Sequence, residues 1–216
     1  PQAEPRDLVT VRPTPAPPPP STPPALPAPP ADTSGRAAAA CETGLRAAYA
    51  ALRGGDFDTA DRHLTAAAAV AEPHEPLDRR VTAWRQLAIY ARQTGEYRDQ
   101  ALDAVNAGRD YDIGRTRISV IESTQDRFVY KQSGTIKRVA RAEIPKPIMA
   151  AILRTWFAAE DQPGNHLFLG TYLLLADEPD LTAVRAEWAV AQRGGQPVAN
   201  LEPLLGDPLV TAAARR

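Results

Sequence analysis

TAWRQLAIYARQTGEY, residues 82–97, is the stretch on which the fold turns. Trp84, Leu87, Ala88 and Ala91 recur at helical spacing and share one face, with Tyr90 alongside. Gly95 stands where such a helix would stop, because glycine accepts the left-handed backbone at a helix end. Tyr97 then enters a second run, continued by Ala101, Leu102 and Val105 and closed by Gly108. These spacings predict a helical hairpin.

The preceding stretch, CETGLRAAYAALRGGDFDTADRHLTAAAAVAEP, follows the same plan. Leu45, Ala48, Tyr49 and Leu52 form one apolar face, and Gly54 and Gly55 end that helix. Asp56 is placed to cap the next, with its carboxylate on free amide hydrogens. Phe57, Ala60, Leu64 and Ala67 make the second face, and Pro73 ends the unit. The phrases GGDFDTA and TGEYRDQA both read glycine, acid, aromatic, and Gly55 and Gly95 stand 40 residues apart. Periods of that size mark stacked helical hairpins. Four helices in two hairpins are therefore expected over residues 35–109.

The set Trp84, Leu87, Ala88, Gly95 and Tyr97 resembles the tetratricopeptide repeat, a helical hairpin of about 34 residues. Gly55, Asp56, Phe57, Ala60, Leu64 and Ala67 are similar to the second half of that repeat. Here the period is 40, the loop near EPHEPLD is longer, and the late small residue is displaced to Ala101. The resemblance implies a binding groove between stacked hairpins.

Residues 110–145 change character. RTRISVIES, RFVYKQ and TIKRVARAEI are rich in Val, Ile, Tyr, Phe and Thr, and Ser133-Gly134 has the chemistry of a hairpin turn. Three short antiparallel strands are expected, a meander that must lean on helices to be stable. The phrase SGTIKRVARAEIP, running from strand into helix, is similar to the small SH3-like barrels of the endocytic-adaptor homology type. Residues 146–216 return to helix. Pro147 suits a first helical turn, and Ile148, Ile152, Trp156 and Ala159 line up on one face. GNHLFLGTYLLLAD follows, then a helix capped by Asp180 in which Leu181, Val184, Trp188 and Ala191 share a face. This pair again resembles a tetratricopeptide hairpin, and Gly170 is the residue that would let its helices touch. The fold class is thus mainly α with a small antiparallel β insert. Its expected packing residues are Phe57, Leu64, Trp84, Leu87, Tyr97, Trp156, Gly170 and Trp188.

Ahead of this body, residues 1–34 hold thirteen of the 22 prolines, mixed with Ala, Ser and Thr. Such a stretch lacks backbone donors and favours polyproline II geometry, so it reads as a disordered Pro-rich linker. Exported bacterial proteins often carry a spacer of this kind, which makes an extracytoplasmic or membrane-tethered location the leading expectation and a cytoplasmic one the alternative. The chain opens on Pro1 and its one methionine is Met149, as in a processed product or a fragment. No apolar run reaches the roughly 18–20 residues needed to span a bilayer, so no membrane insertion is expected of it.

The search for chemistry finds little. Cys41 is the one cysteine, read at a helix start as a small half-buried residue. His63, His74 and His166 are far apart and form no metal-ligand pair, and His166 reads as a packed or capping residue. The acid pairs Asp56/Asp58, Asp110/Asp112 and Glu160/Asp161 sit at element boundaries, where caps and solvated turns account for them. No phosphate loop is present: RGGD, TGEY and RGGQ end helices instead of opening them. No catalytic residue, cofactor or metal is expected. Net charge is -1, which gives no general attraction to nucleic acid, and none is expected as a partner. Residues 109–146 are locally basic, with nine Lys or Arg against five Asp or Glu. Arg115, Arg117, Arg127, Lys131, Lys137, Arg138 and Arg141 are the candidate anion-binding set. The leading expectation is a non-enzymatic interaction or scaffold module that takes a protein or peptide partner. The alternative is a polyanion-binding accessory domain using the basic β-segment.

Overall fold

A computed structural model describes residues 33–72 and 74–215, so the Pro-rich linker up to residue 32 and Pro73 lie outside the described residues. Three helices come first: α1 Thr33–Gly54, α2 Phe57–Ala71 and α3 Glu75–Asp103. A meander follows, β1 Asp110–Ile113, β2 Thr116–Ser123, β3 Arg127–Gln132 and β4 Thr135–Ala140. A 3₁₀ turn over Arg141–Glu143 leads into α4 Lys146–Phe157, α5 Pro163–Leu174 and α6 Leu181–Arg193. A second 3₁₀ turn, Glu202–Gly206, precedes α7 Pro208–Ala214.

Local chemistry sets most of these boundaries. Gly55 has φ 77° at the end of α1, and the Asp56 carboxylate accepts from Thr59 N at 3.0 Å to start α2. Asp180 caps α6 through Thr182 N and Ala183 N, and Asp207 caps α7 through Leu209 N. Ser133 and Gly134 both have positive φ, 49° and 85°, the type I′ geometry that matches strand twist in a two-residue hairpin.

Three expectations are corrected. Residues 75–103 form one helix of 29 residues, so the second hairpin does not exist. Gly95 lies inside α3, where a Cβ would come within 3.1 Å of the Phe57 ring. Its absent side chain makes room for α2. Arg92 completes that joint, 5.6 Å from the Phe57 ring centroid and paired with Asp58 and Asp61. The sheet has four strands in the order β1-β2-β3-β4, all antiparallel, where three were expected. The additional strand, β1, is the acidic DYDI, in which Tyr111 turns into the core opposite Ile118. Cys41 also lies well inside α1 and is fully buried, not at a helix start.

The side chains pack into two cores that share α3. The first joins α1, α2, the front half of α3, α5, α6 and the C-terminal turns around Leu64, Trp84, Leu87 and Trp188. It therefore draws on both the 35–109 and the 146–216 stretches. The second joins the back half of α3 to the sheet and α4, around Phe128, Ile118, Ile152 and Leu153. Tyr97, Trp156, Phe157 and Phe168 form an aromatic cluster beside it, with Tyr97 4.8 Å from the Phe168 centroid. Phe57, Tyr97 and Trp156 are half-buried members of the expected packing set, and the others are buried.

Candidate functional site

The sheet shows one face to the core and one outward. Phe128 and Tyr130 of β3 are buried with Ile118 and Val120 of β2. Lys131 pairs across to Ser119 on one side and Ile136 on the other, on the opposite face. β4 is the edge strand, exposed at every position except half-buried Val139. In a two-residue hairpin the pair flanking the turn exchanges hydrogen bonds, and the pairs alternate from there. Stepping along β4 from Gln132↔Thr135, the residues whose amide and carbonyl point away from β3 are Ile136, Arg138 and Ala140. Ile136 is also among the large apolar side chains most exposed to solvent, at 49%.

The seven basic residues expected to bind anions separate into two groups. Arg117 pairs with Asp112 at 2.7 Å, Arg127 with Glu122 at 2.8 Å and Arg141 with Asp103 at 2.7 Å. The hydrogen bond from Arg117 holds the Asp112 carboxyl below the usual carboxylate range. Lys137 donates to the Gln132 amide oxygen at 3.0 Å. Arg115, Lys131 and Arg138 are exposed and have no side-chain partner among the described residues. Lys131 and Arg138 thus leave uncompensated positive charge beside the open edge. Arg141 does not belong with them: it is half-buried and braces the sheet against the end of α3, bonding Asp103 and the Asp99 carbonyl.

A second feature joins residues that no local pattern connects. Arg53 at the end of α1 and Lys146 at the start of α4 both reach Asp177 Oδ1, at 2.6 and 3.3 Å. Lys146 also donates to the Leu175 carbonyl at 2.9 Å. Burial pulls the Lys146 ammonium below the ordinary lysine value, against the opposing pull of Asp177. Asp177 is held low, first by the Arg53 hydrogen bond and then by Lys146. These two cations, with Arg98, Arg141 and Tyr172, line a cleft of about 140 Å³. Arg53, Arg98, Lys146 and Tyr172 were not legible as a group. Arg53 and Asp177 are 124 residues apart, and each falls in an unremarkable helix-end context.

His166 stands between Glu187 at 2.7 Å and Asp161 at 3.0 Å. Burial pushes the Cys41 thiol up, with Arg80 opposing, so its protonated form is favoured. Among the described residues no three His, Cys, Asp or Glu side chains converge as a metal ion would need. Among the same residues no helix is long and apolar enough to cross a membrane.

No family model, no curated protein and no solved structure matches the chain.

Proposed function

We propose that the chain is a non-enzymatic recognition module that takes an extended, acidic segment of a partner protein as a fifth strand along β4. The observation that carries this reading is the open edge itself. Ile136, Arg138 and Ala140 turn their amides and carbonyls outward, and the adjacent cations Lys131 and Arg138 have no carboxylate partner among the described residues. Main-chain hydrogen bonds would supply affinity, and the charges and exposed Ile136 would select alternate side chains of the incoming strand. The helix pairs α1–α2 and α5–α6, tetratricopeptide-like in their order, and the SH3-like meander serve in this proposal as the frame. The Pro-rich linker is its tether.

The test uses an acetylated, amidated octapeptide of alternating Glu and Val. Binding should slow hydrogen exchange at the Ile136, Arg138 and Ala140 amides. Arg138→Pro removes one outward N–H while sparing the β3 ladder, and Arg138→Glu reverses the charge. Both should weaken binding at least tenfold with the thermal transition retained. Binding without protection of β4, or undiminished in both variants, overturns the proposal.

The unpartnered Arg115, Lys131 and Arg138 favour a second reading, a polyanion-binding accessory domain. Polyanion affinity falls steeply with salt, whereas an added strand keeps its main-chain bonds. Heparin binding that vanishes by 0.3 M salt, with no peptide binding, would select this reading.

A further inference from the structure

The cleft between the α1–α2 turn, the middle of α3, the start of α4 and the end of α5 is positive without a lining carboxylate. Arg53, Arg98, Arg141 and Lys146 all line it, in a chain whose net charge is -1. Their acidic partners are Asp177, Asp99 and Asp103, and none of those three lines the cleft. Each ion pair therefore holds a cation in place from outside. Arg53 is fixed further by Tyr49, whose ring centroid lies 5.5 Å from the guanidinium carbon.

Two donors on residues that line this cleft have no acceptor. Arg53 Nε is buried and has no hydrogen-bond partner. A buried donor without an acceptor is costly, and natural structures rarely leave one. The Tyr172 hydroxyl also has no hydrogen-bond partner among the described residues, and burial pushes its phenol up, so it keeps its proton. Apart from Thr94, whose hydroxyl donates to the Tyr90 carbonyl, the rest of the lining is glycine or apolar and includes Phe57 and Met149.

We propose that this cleft binds an oxyanion, a carboxylate or a phosphate, carried on a compact apolar group. The oxyanion accepts from Arg53 Nε–H and the Tyr172 hydroxyl within the field of Lys146, Arg98 and Arg141. The apolar group rests on Phe57 and Met149. The guanidinium plane suits this task because it offers donors in a fixed fork. Nothing here depends on strand capture at β4, where none of these residues lies.

The experiment is a titration of the ¹⁵N-labelled full chain with phenyl phosphate, benzoate, inorganic phosphate and benzyl alcohol. The Arg53 Nε–H signal is the readout. Phenyl phosphate or benzoate should shift it saturably, and the stronger of the two identifies the oxyanion. Inorganic phosphate should bind at least tenfold more weakly, and benzyl alcohol should leave the signal unmoved. Arg53→Lys keeps the charge but removes the Nε–H, and should weaken the better ligand at least tenfold. Tyr172→Phe, which leaves the ion pairs intact, should weaken it severalfold. The proposal is overturned by shifts that never saturate and appear equally at Arg115 and Arg138, by silence in both aryl arms, by equal binding of benzyl alcohol, or by undiminished affinity in both variants.

Discussion

Gly170 in α5 lies directly against the indole of Trp188 in α6, so close that a Cβ at position 170 would overlap indole Cδ1 and Nε1. Trp188 is only 2% exposed, so a methyl at position 170 would meet a buried ring. Gly170→Ala gains about 1 kcal/mol of helix propensity, but forcing a methyl into a packed core costs about 1–3 kcal/mol. With a rigid ring as the obstacle, net destabilisation is expected, read as a lower urea midpoint by circular dichroism. Combining it with Trp188→Leu should remove the penalty of the alanine, a coupling between neighbours. Additive losses in the double variant would contradict the contact.

The residues that were legible in the sequence act within a few positions of themselves. Asp56 and Asp180 cap the helices that follow them, and Ser133-Gly134 turns its own hairpin. The role of Gly95 is set by Phe57, a residue of another helix, and glycine that admits a neighbour looks the same in sequence as glycine that stops a helix. β1 is not legible in the sequence because two aspartates disfavour a strand, yet pairing with β2 and burial of Tyr111 outweigh that preference. The basic run was visible as composition, but composition does not say which cations have partners. Asp112 and Glu122 engage Arg117 and Arg127, while the cleft is assembled from α1, α3, α4 and α5.

Asp207 is a buried carboxylate with four donors. Arg80 reaches it at 2.7 and 3.0 Å, Trp84 Nε1 at 3.0 Å and Leu209 N at 2.9 Å. It ties α7 to α3, and Arg80 continues to Glu42 in α1 at 2.7 Å. Removing the carboxylate leaves Trp84 Nε1 without its acceptor and Arg80 with Glu42 alone, so Asp207→Ala should cost about 1–3 kcal/mol. Asp207→Asn keeps the cap and should cost less. Hydrogen exchange in α7 should accelerate in the alanine variant before the rest of the protein unfolds. Unchanged protection there would show that the tie does not hold α7.

Adjacent glycines at the end of α1 should respond with opposite sign. Gly54 is the last helical residue, with nothing within 4 Å of a Cβ, and Gly55 has φ 77°. Gly54→Ala should stabilise by about 0.5 kcal/mol by restricting the unfolded chain. Gly55→Ala should destabilise by about 1 kcal/mol, since the left-handed backbone crowds a Cβ. Urea denaturation of the two single variants decides it, and a shared sign would mean the turn has another geometry.

His166 gives the fold a pH dependence. Burial lowers its proton affinity, but hydrogen bonds from the imidazolium to Glu187 and Asp161 outweigh that and raise it. Arg154 lines the same recess from α4. A histidine whose folded value lies above its unfolded one contributes its full stability below about pH 6.5, the unfolded value. That contribution is lost as pH rises through the folded value. Wild type should therefore exceed His166→Gln in Tm by more at pH 5.5 than at pH 8. Glu187→Gln should shrink the difference by removing the nearer partner. Melting curves at the two pH values, with an NMR titration of the imidazole, measure both quantities. A gap that is equal at the two pH values, or larger at pH 8, would mean that the imidazolium is not what these carboxylates hold.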